Sequence, residues 1–360
     1  MSTLKLFIGT VKGLFILSSD SSRKDWHIEG PILKGWQVFH VAADPRNNDE
    51  LFASVGNFVY GAVIMRSRDG GKNWEQIKNG PAYAEGSVST LKDIWYVAPG
   101  HESEPNTLFA GVSEAGIFVS RDGGDNWQEM KGLSEHETRG EWVGGLGGLC
   151  CHTIQVHPDN PKRIWVAISA VGVFRSDDGG ETWQVKNDGL HIIIPTKEHQ
   201  QIGSCVHKLV MDPTNPDRLF QQNHRGVFRS LDGGDSWSRI ENGLPGTFGF
   251  PMVMNPHHPD WLYTVPQESD EFRFAKDGKL AVYRTKDAGE NWEEIRTGLP
   301  ENSYVGVLRG AMTTDSISSK AGIYFGTTGG LVFYSRDDGD SWEQMPFLLP
   351  RISSLTTVGN

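Results

Sequence analysis

The sequence predicts an all-β chain, a seven-bladed β-propeller, and three observations predict it. A short motif recurs seven times over the 360 residues. The tryptophan that closes it steps forward by 48, 53, 56, 54, 55 and 50 residues. The composition, with 43 glycines and 12 tryptophans at 37% hydrophobic content, suits short strands, tight turns and one large aromatic anchor per repeat. A period near 50 with several short strands in each unit is the spacing of propeller blades.

The motif reads Ser-x-Asp-x-Gly-x-x-Trp. It occurs as Ser67/Asp69/Gly71/Trp74, Ser120/Asp122/Gly124/Trp127, Ser176/Asp178/Gly180/Trp183 and Ser230/Asp232/Gly234/Trp237. A threonine form follows at Thr285/Asp287/Gly289/Trp292, and Ser335/Asp337/Gly339/Trp342 is last. A degraded copy stands first, with Ser18, Asp20 and Trp26, one residue too many and no glycine. Apolar alternation runs into and out of each motif, so it reads as a hairpin loop. Glycine supplies a positive φ there, and the Asp and Ser side chains hydrogen-bond the turn backbone. The tryptophan opens the next strand and wedges against a neighbouring repeat, an anchor worth roughly 3 kcal/mol when buried.

Each period then divides into four strands. The innermost is a segment such as Val38–Ala43 or Thr153–Val156, commonly closed by Asp44-Pro45, His157-Pro158, Asp212-Pro213 or Asn255-Pro256. The N-terminus supplies only three strands, Lys5–Gly9, Leu14–Leu17 and Trp26–Glu29. Its missing partner is expected from Ile352–Val358, which closes the ring and removes an open edge. The expectation is one domain over residues 1–360.

Charge narrows the partners. There are 34 basic and 45 acidic residues, a net of −11, with no basic stripe, which argues against nucleic acid and anionic membranes. No apolar run approaches a bilayer span, and the first residues read as a strand rather than a signal peptide. The three cysteines, Cys150, Cys151 and Cys205, make no disulfide framework, and a cytoplasmic protein is expected. They read better as small buried side chains than as part of a zinc site, since no Cys-x-x-Cys is present.

The repeats resemble the Asp-box, or bacterial neuraminidase (BNR) repeat, family over the whole chain. That superfamily includes sialidases, xyloglucan-cleaving hydrolases, sortilin-type receptors and a photosystem assembly factor. Phe7 to Phe15, in the pattern Phe-x-Gly-Thr-x-Lys-Gly-Leu-Phe, and Gln222-Asn223-His224 look like bacterial members labelled glycosyl hydrolases or exo-sialidases. A true sialidase is disfavoured, because the resemblance would require an Arg-Ile-Pro opening and here Arg351-Ile352 is followed by Ser353.

Long, variable loops on a rigid scaffold are where function tends to sit. Loops 79–92, 131–149 and 187–203, and the insertion at 266–279, all belong to the end of the strands opposite the repeated motif. Counting six residues back from each closing proline places Asp93, His152 and His207 at equivalent positions on three successive inner strands. His40 is one residue off, His224 and Arg225 share the next turn of the His207 repeat, and Glu114 lies on the corresponding turn of the Asp93 repeat. His152, His207 and Asp93 suit a divalent metal (Zn, Mn or Fe). Alternatively His152, His207 and His224 run acid–base chemistry with Asp93 and Glu114 as carboxylate partners. The plainer account is that each histidine hydrogen-bonds a neighbouring strand. Arg225 reads as an anion clamp, and Trp142 as a platform for a sugar ring ahead of Trp36 and Trp95. Glu135, Glu137 and Glu141 read as solvated acids, with one a candidate catalytic acid. The reading is a hydrolase or lyase on a small polar or carbohydrate substrate, with a non-catalytic binding or assembly scaffold as the alternative.

Overall fold

A computed structural model describes residues 3–359. The chain is all-β, its helical content among the described residues limited to Lys131–Ser134 and the single 3₁₀ turns Arg139–Glu141 and Lys276–Gly278. Its strands form five four-stranded sheets and one of eight, each meandering strand by strand. Among the described residues no helix is long and apolar enough to cross a membrane.

The repeated motif folds as its chemistry requires. In every one of the six complete copies the Ser or Thr hydroxyl donates to the Asp carboxylate and accepts the N–H of the motif glycine, as in Ser67 (2.8 and 2.9 Å) and Thr285 (2.7 and 2.9 Å). The same Asp takes the N–H and the side chain of the residue four on, as Asp122 does from Asn126 at 2.9 and 2.8 Å. The motif glycines lie at φ between +88° and +97°, a region closed to most side chains. These hydrogen bonds favour the carboxylate form and hold Asp69, Asp122 and Asp178 down at about 2. The strand after each motif is only two or three residues long and begins just past the tryptophan, as at Glu75–Gln76 and Glu293–Ile295.

Contacts divide the chain into two units: residues 1–40, 220–229 and 239–360, and residues 41–219 and 230–238. In the first, the C-terminal strand Ile352–Gly359 pairs antiparallel with Thr3–Thr10, as expected from the three-stranded N-terminus. Those two strands, with Gly13–Asp20 and Glu29-bearing His27–Ile32, make one half of the eight-stranded sheet. The other half, Val307–Asp315 to Glu343–Gln344, joins it through a single parallel bridge, Gly310 to Ser354. Leu6, Ile8, Val307, Phe325 and Ile352 lie in the core of this unit.

The degraded first motif is rebuilt rather than lost. Arg23 adopts φ +54° where the others have glycine nearby, and its side chain is buried. It donates to the carboxylate of Asp315 (Nε to Oδ2, 3.0 Å, and Nη2 to Oδ1), to Ser318 at 2.9 Å and to the Lys320 carbonyl at 3.2 Å. Tyr324 donates to the same Asp315 at 2.7 Å. Trp26 stands edge-on between Tyr324 and Tyr334, 5.9 and 5.7 Å away.

In the second unit, strands Asp93–Pro99, Cys151–His157 and Val206–Met211 open successive sheets, and each packs against the next, as the inner strands of neighbouring blades do. All three cysteines are buried, matching the expectation. Successive repeats dock through the main chain. The Trp237 N–H donates to the Asp188 carbonyl at 2.9 Å, and a Cβ on Gly189 would lie 2.2 Å from the Trp237 carbonyl. In the first unit the Trp292 N–H meets Asn242 at 2.8 Å, and Gly243 faces the Trp292 carbonyl in the same way.

Candidate functional site

Each unit gathers some of the expected residues at the strand ends away from the repeated motif. In the second unit, Asp93 and Ser113 are register partners at the open end of one strand pair, and Glu114 follows directly. Lys92 ion-pairs with Glu114 and lies close enough to Asp93 to act on its charge. Burial is the larger influence on Asp93 and raises its carboxyl above the ordinary value, with Lys92 opposing. Tyr83 donates its hydroxyl to the Glu114 carbonyl. Asp93 and Glu114 thus lie at one end of the same strand pair, with a lysine that the sequence did not single out.

For His152 and Trp142 the geometry assigns other work than the sequence suggested. His152 is buried and both its ring nitrogens are engaged, Nδ1 with the Thr153 hydroxyl at 3.0 Å and Nε2 with the Val206 carbonyl at 2.9 Å. A carbonyl only accepts, so Nε2 carries the proton and Nδ1 takes the threonine hydrogen. No lone pair is left for a metal, and the side chain ties one inner strand to the next. Trp142 is 8% exposed, packed on Phe174 at 5.2 Å, capped by the Arg139 guanidinium at 4.8 Å and bonded through Nε1 to Thr138 at 2.8 Å. Its ring serves the core instead of offering a face to a sugar. The Glu141 carboxylate accepts three consecutive backbone N–H groups, from Lys197, Glu198 and His199, and so clamps loop 187–203 to loop 131–149. Glu135 and Glu137 remain exposed. His207 is buried, near the start of Val206–Met211, in this same unit.

In the first unit, His40 is half-buried on Gln37–Asp44. His224 and Arg225 form the tight turn between Leu219–Asn223 and Gly226–Ser230. His224 Nε2 lies 2.9 Å from the Asp270 carboxylate, and the Arg225 guanidinium lies 3.7 Å from the same oxygen. The hydrogen bond from His224 is the main reason the Asp270 carboxyl falls below its ordinary value. The imidazole edge meets Phe248 at 5.1 Å, and Arg273 spreads over Phe248 and Phe250 while its Nε donates to the Asp270 carbonyl at 2.9 Å. Two residues beyond Asp270, Phe272 is 56% exposed; it contacts Phe274, which contacts the 64%-exposed Tyr304. With Nε2 donating to the carboxylate, the basic lone pair of a neutral imidazole is at Nδ1, the arrangement by which a carboxylate orients a histidine base. Asp270, Phe272 and Arg273 were not singled out from the sequence, although the 266–279 insertion that carries them was.

Comparisons with known proteins agree with this architecture. A family model described as Sortilin, neurotensin receptor 3 (Sortilin-Vps10) matches residues 171–315. A xyloglucanase from Paenibacillus sp is 22% identical over 90% of this chain and 33% of its own length. The GH74 xyloglucanase from Xanthomonas campestris superposes with a TM-score of 0.67 at 16% identity, covering 96% of this chain and 52% of that one. YCF48 bound to D1 peptide gives a TM-score of 0.54 at 15% identity, covering 86% and 81%. The chain spans about a third of the length of the curated relatives it matches. The six complete motifs folded alike, together with these neighbours, support a BNR-like (Asp-box) propeller family for this chain.

Proposed function

We propose that this chain acts on a carbohydrate as a hydrolase or lyase, with His224 as the acid–base group, Asp270 orienting it and Arg225 clamping an anionic or hydroxyl-rich part of the substrate. One observation carries the reading: the His224–Asp270 pair stands beside an arginine and next to a partly exposed aromatic run, Phe272 to Tyr304. Aromatic faces suit the apolar faces of sugar rings, and convergent polar groups fix their orientation. The xyloglucanase relatives support a polysaccharide or oligosaccharide as the class of substrate. In the other unit, Asp93 and the Glu114 that ion-pairs with Lys92 form a separate acidic group, proposed on its own account. A divalent ion on His207 is a separate proposal for the second unit; elemental analysis of the protein beside His207→Ala checks it, and equal metal content in both would remove it.

The architecture behind this reading is seven blades: the five four-stranded sheets and the two halves of the eight-stranded one. The C-terminal strand on Thr3–Thr10 supports ring closure.

The test is turnover on a panel of xyloglucan, other β-glucans and their oligosaccharides. His224→Ala should lower kcat by roughly 10²–10⁴-fold, the usual contribution of a positioned acid–base group, with an unchanged melting temperature. Full activity in that variant would remove His224 from the mechanism. A scaffold reading has its own support in the hairpin tip Phe58-Val59-Tyr60, which is 99%, 61% and 73% exposed, and in the YCF48 neighbour bound to a peptide. Absence of turnover across the panel, with capture of a peptide lost in Phe58→Ser, would favour it.

A further inference from the structure

The insertion 266–279 also builds a cavity that the His224–Asp270 pair does not use. The cavity holds about 220 Å³, and Lys276, Asp277, Lys279, Tyr283, Glu294 and Arg296 are among its lining residues. In a chain with a net charge of −11, three of its lining side chains are cations and two are acids. The 3₁₀ turn Lys276–Gly278 is pinned on both sides: Ala275 N–H donates to the Val305 carbonyl at 3.1 Å and Ser303 N–H to the Gly278 carbonyl at 2.7 Å. The cations are therefore presented from ordered backbone.

Two of the cations are held but not used up. The Lys276 ammonium donates to the Pro245 carbonyl at 2.8 Å, which leaves two of its three donors. Arg296 ion-pairs with Glu301 at 2.7 Å, which leaves part of its five-donor fork. Lys279 has no ion pair among the described residues. Also in the lining, Tyr283 and Glu294 are cross-strand partners, and the phenol donates to that carboxylate at 3.2 Å. Glu294 keeps acceptor capacity beyond that one bond.

We propose that this cavity binds one acidic monosaccharide, its phosphate or carboxylate held by Lys276, Lys279 and Arg296 and its hydroxyls donating to Glu294 and Asp277. Lysine and arginine hold such anions through charge-assisted hydrogen bonds. At about 220 Å³ the cavity is below the roughly 300–1,000 Å³ of drug-sized pockets, a size that suits a single sugar ring. The mixed lining explains why the ligand is a sugar acid and not a bare anion, because two carboxylates repel an anion that brings no hydroxyls to satisfy them. The site stands independently of the acid–base role given to His224.

Isothermal titration of the intact chain tests it, with glucose 6-phosphate and glucuronate as the two acidic probes and glucose and inorganic phosphate as controls. At least one acidic sugar should bind, and whichever binds more tightly identifies phosphate or carboxylate as the group held. Lys276→Ala/Lys279→Ala, two exposed positions whose loss should leave melting unchanged, should weaken that binding at least tenfold. Arg296→Gln should weaken it as well, and His224→Ala should bind like the parent. Raising the salt concentration should weaken binding, as expected of exposed charges. Unchanged affinity in the lysine double variant, or no binding of either acidic sugar, would overturn the site. Glucose or inorganic phosphate binding as tightly as the sugar acids would overturn the ligand class.

Discussion

The Arg23–Asp315 pair offers the sharpest test of how this fold is held. Both side chains are almost wholly out of water, 2% and 4% exposed, and they join residues 292 positions apart. Replacing Arg23 by Ala leaves the buried Asp315 carboxyl short of two donated hydrogen bonds and of its opposite charge. Breaking one side of a buried pair costs roughly 3–5 kcal/mol, because the remaining charge has no compensation. Unfolding entropy near 2.1 cal/mol/K per residue gives roughly 0.75 kcal/mol/K for a chain of 360 residues. The melting temperature should therefore fall by about 4–7 °C, read by calorimetry or by circular dichroism. The double variant Arg23→Met/Asp315→Asn removes both charges, yet keeps an acceptor for Tyr324 and for the Ile317 N–H, which donates to Asp315 at 2.9 Å. It should be more stable than Arg23→Ala, since a buried pair is often matched by neutral groups of similar volume. A shift below 1 °C in Arg23→Ala, or costs that simply add in the double variant, would refute the account.

Three further outcomes follow from the same geometry. Gly243→Ala should cost at least ~2 kcal/mol, because φ is +95° and its Cβ would meet the Trp292 carbonyl at 2.2 Å; Gly61→Ala, at φ +74° with open space around it, should cost only the roughly 1–2 kcal/mol of the left-handed conformation. Equal melting of the two would deny the docking role. Asp69, Asp122 and Asp178 titrate near 2 when folded and near 3.9 when unfolded, so the unfolded chain binds more protons between those values. Their stabilisation should be complete above about pH 4 and disappear as pH falls towards 2, and Asp122→Asn should flatten the acid limb of a melting-temperature profile. Glu141→Gln should speed hydrogen exchange at the 197–199 amides, whose acceptor it is, and leave the strands of that unit protected; unchanged exchange would mean the clamp is not what orders loop 187–203.

What could be read in advance divides along the range of the interactions. The motif was legible because its hydrogen bonds close within four residues, so Ser, Asp, Gly and Trp at fixed offsets carry the whole turn. The inner strands were legible through their closing prolines, and Asp93 and Glu114 came together for that reason. His152 shared the alignment but not the chemistry, since its partners, Thr153 and the Val206 carbonyl, are set by the adjoining strand. Trp142 misled because a loop rich in Gly and Glu looked solvated, whereas the turn at Arg139–Glu141 folds its ring back onto Phe174. Asp270 had no pattern to announce it. It lies in an irregular insertion and acquires meaning only from His224, 46 positions earlier. Arg23 was hidden in the same way, its partner being nearly the length of the chain away.

The main-chain docking of Trp237 on Asp188 and Gly189, and of Trp292 on Asn242 and Gly243, has a bearing on how such a chain can change. A junction written in carbonyls and amides demands almost nothing of the side chains around it beyond one residue without a Cβ. A module leaving through such a glycine should accept another that enters through a motif tryptophan in the same way. Duplicating, shuffling or grafting whole modules cut at these points should preserve every junction, while a cut one strand to either side would separate the glycine from the carbonyl it was shaped to receive. The loops that distinguish one module from another, 79–92, 131–149 and 187–203 among them, then vary without touching the coupling that keeps the modules in line.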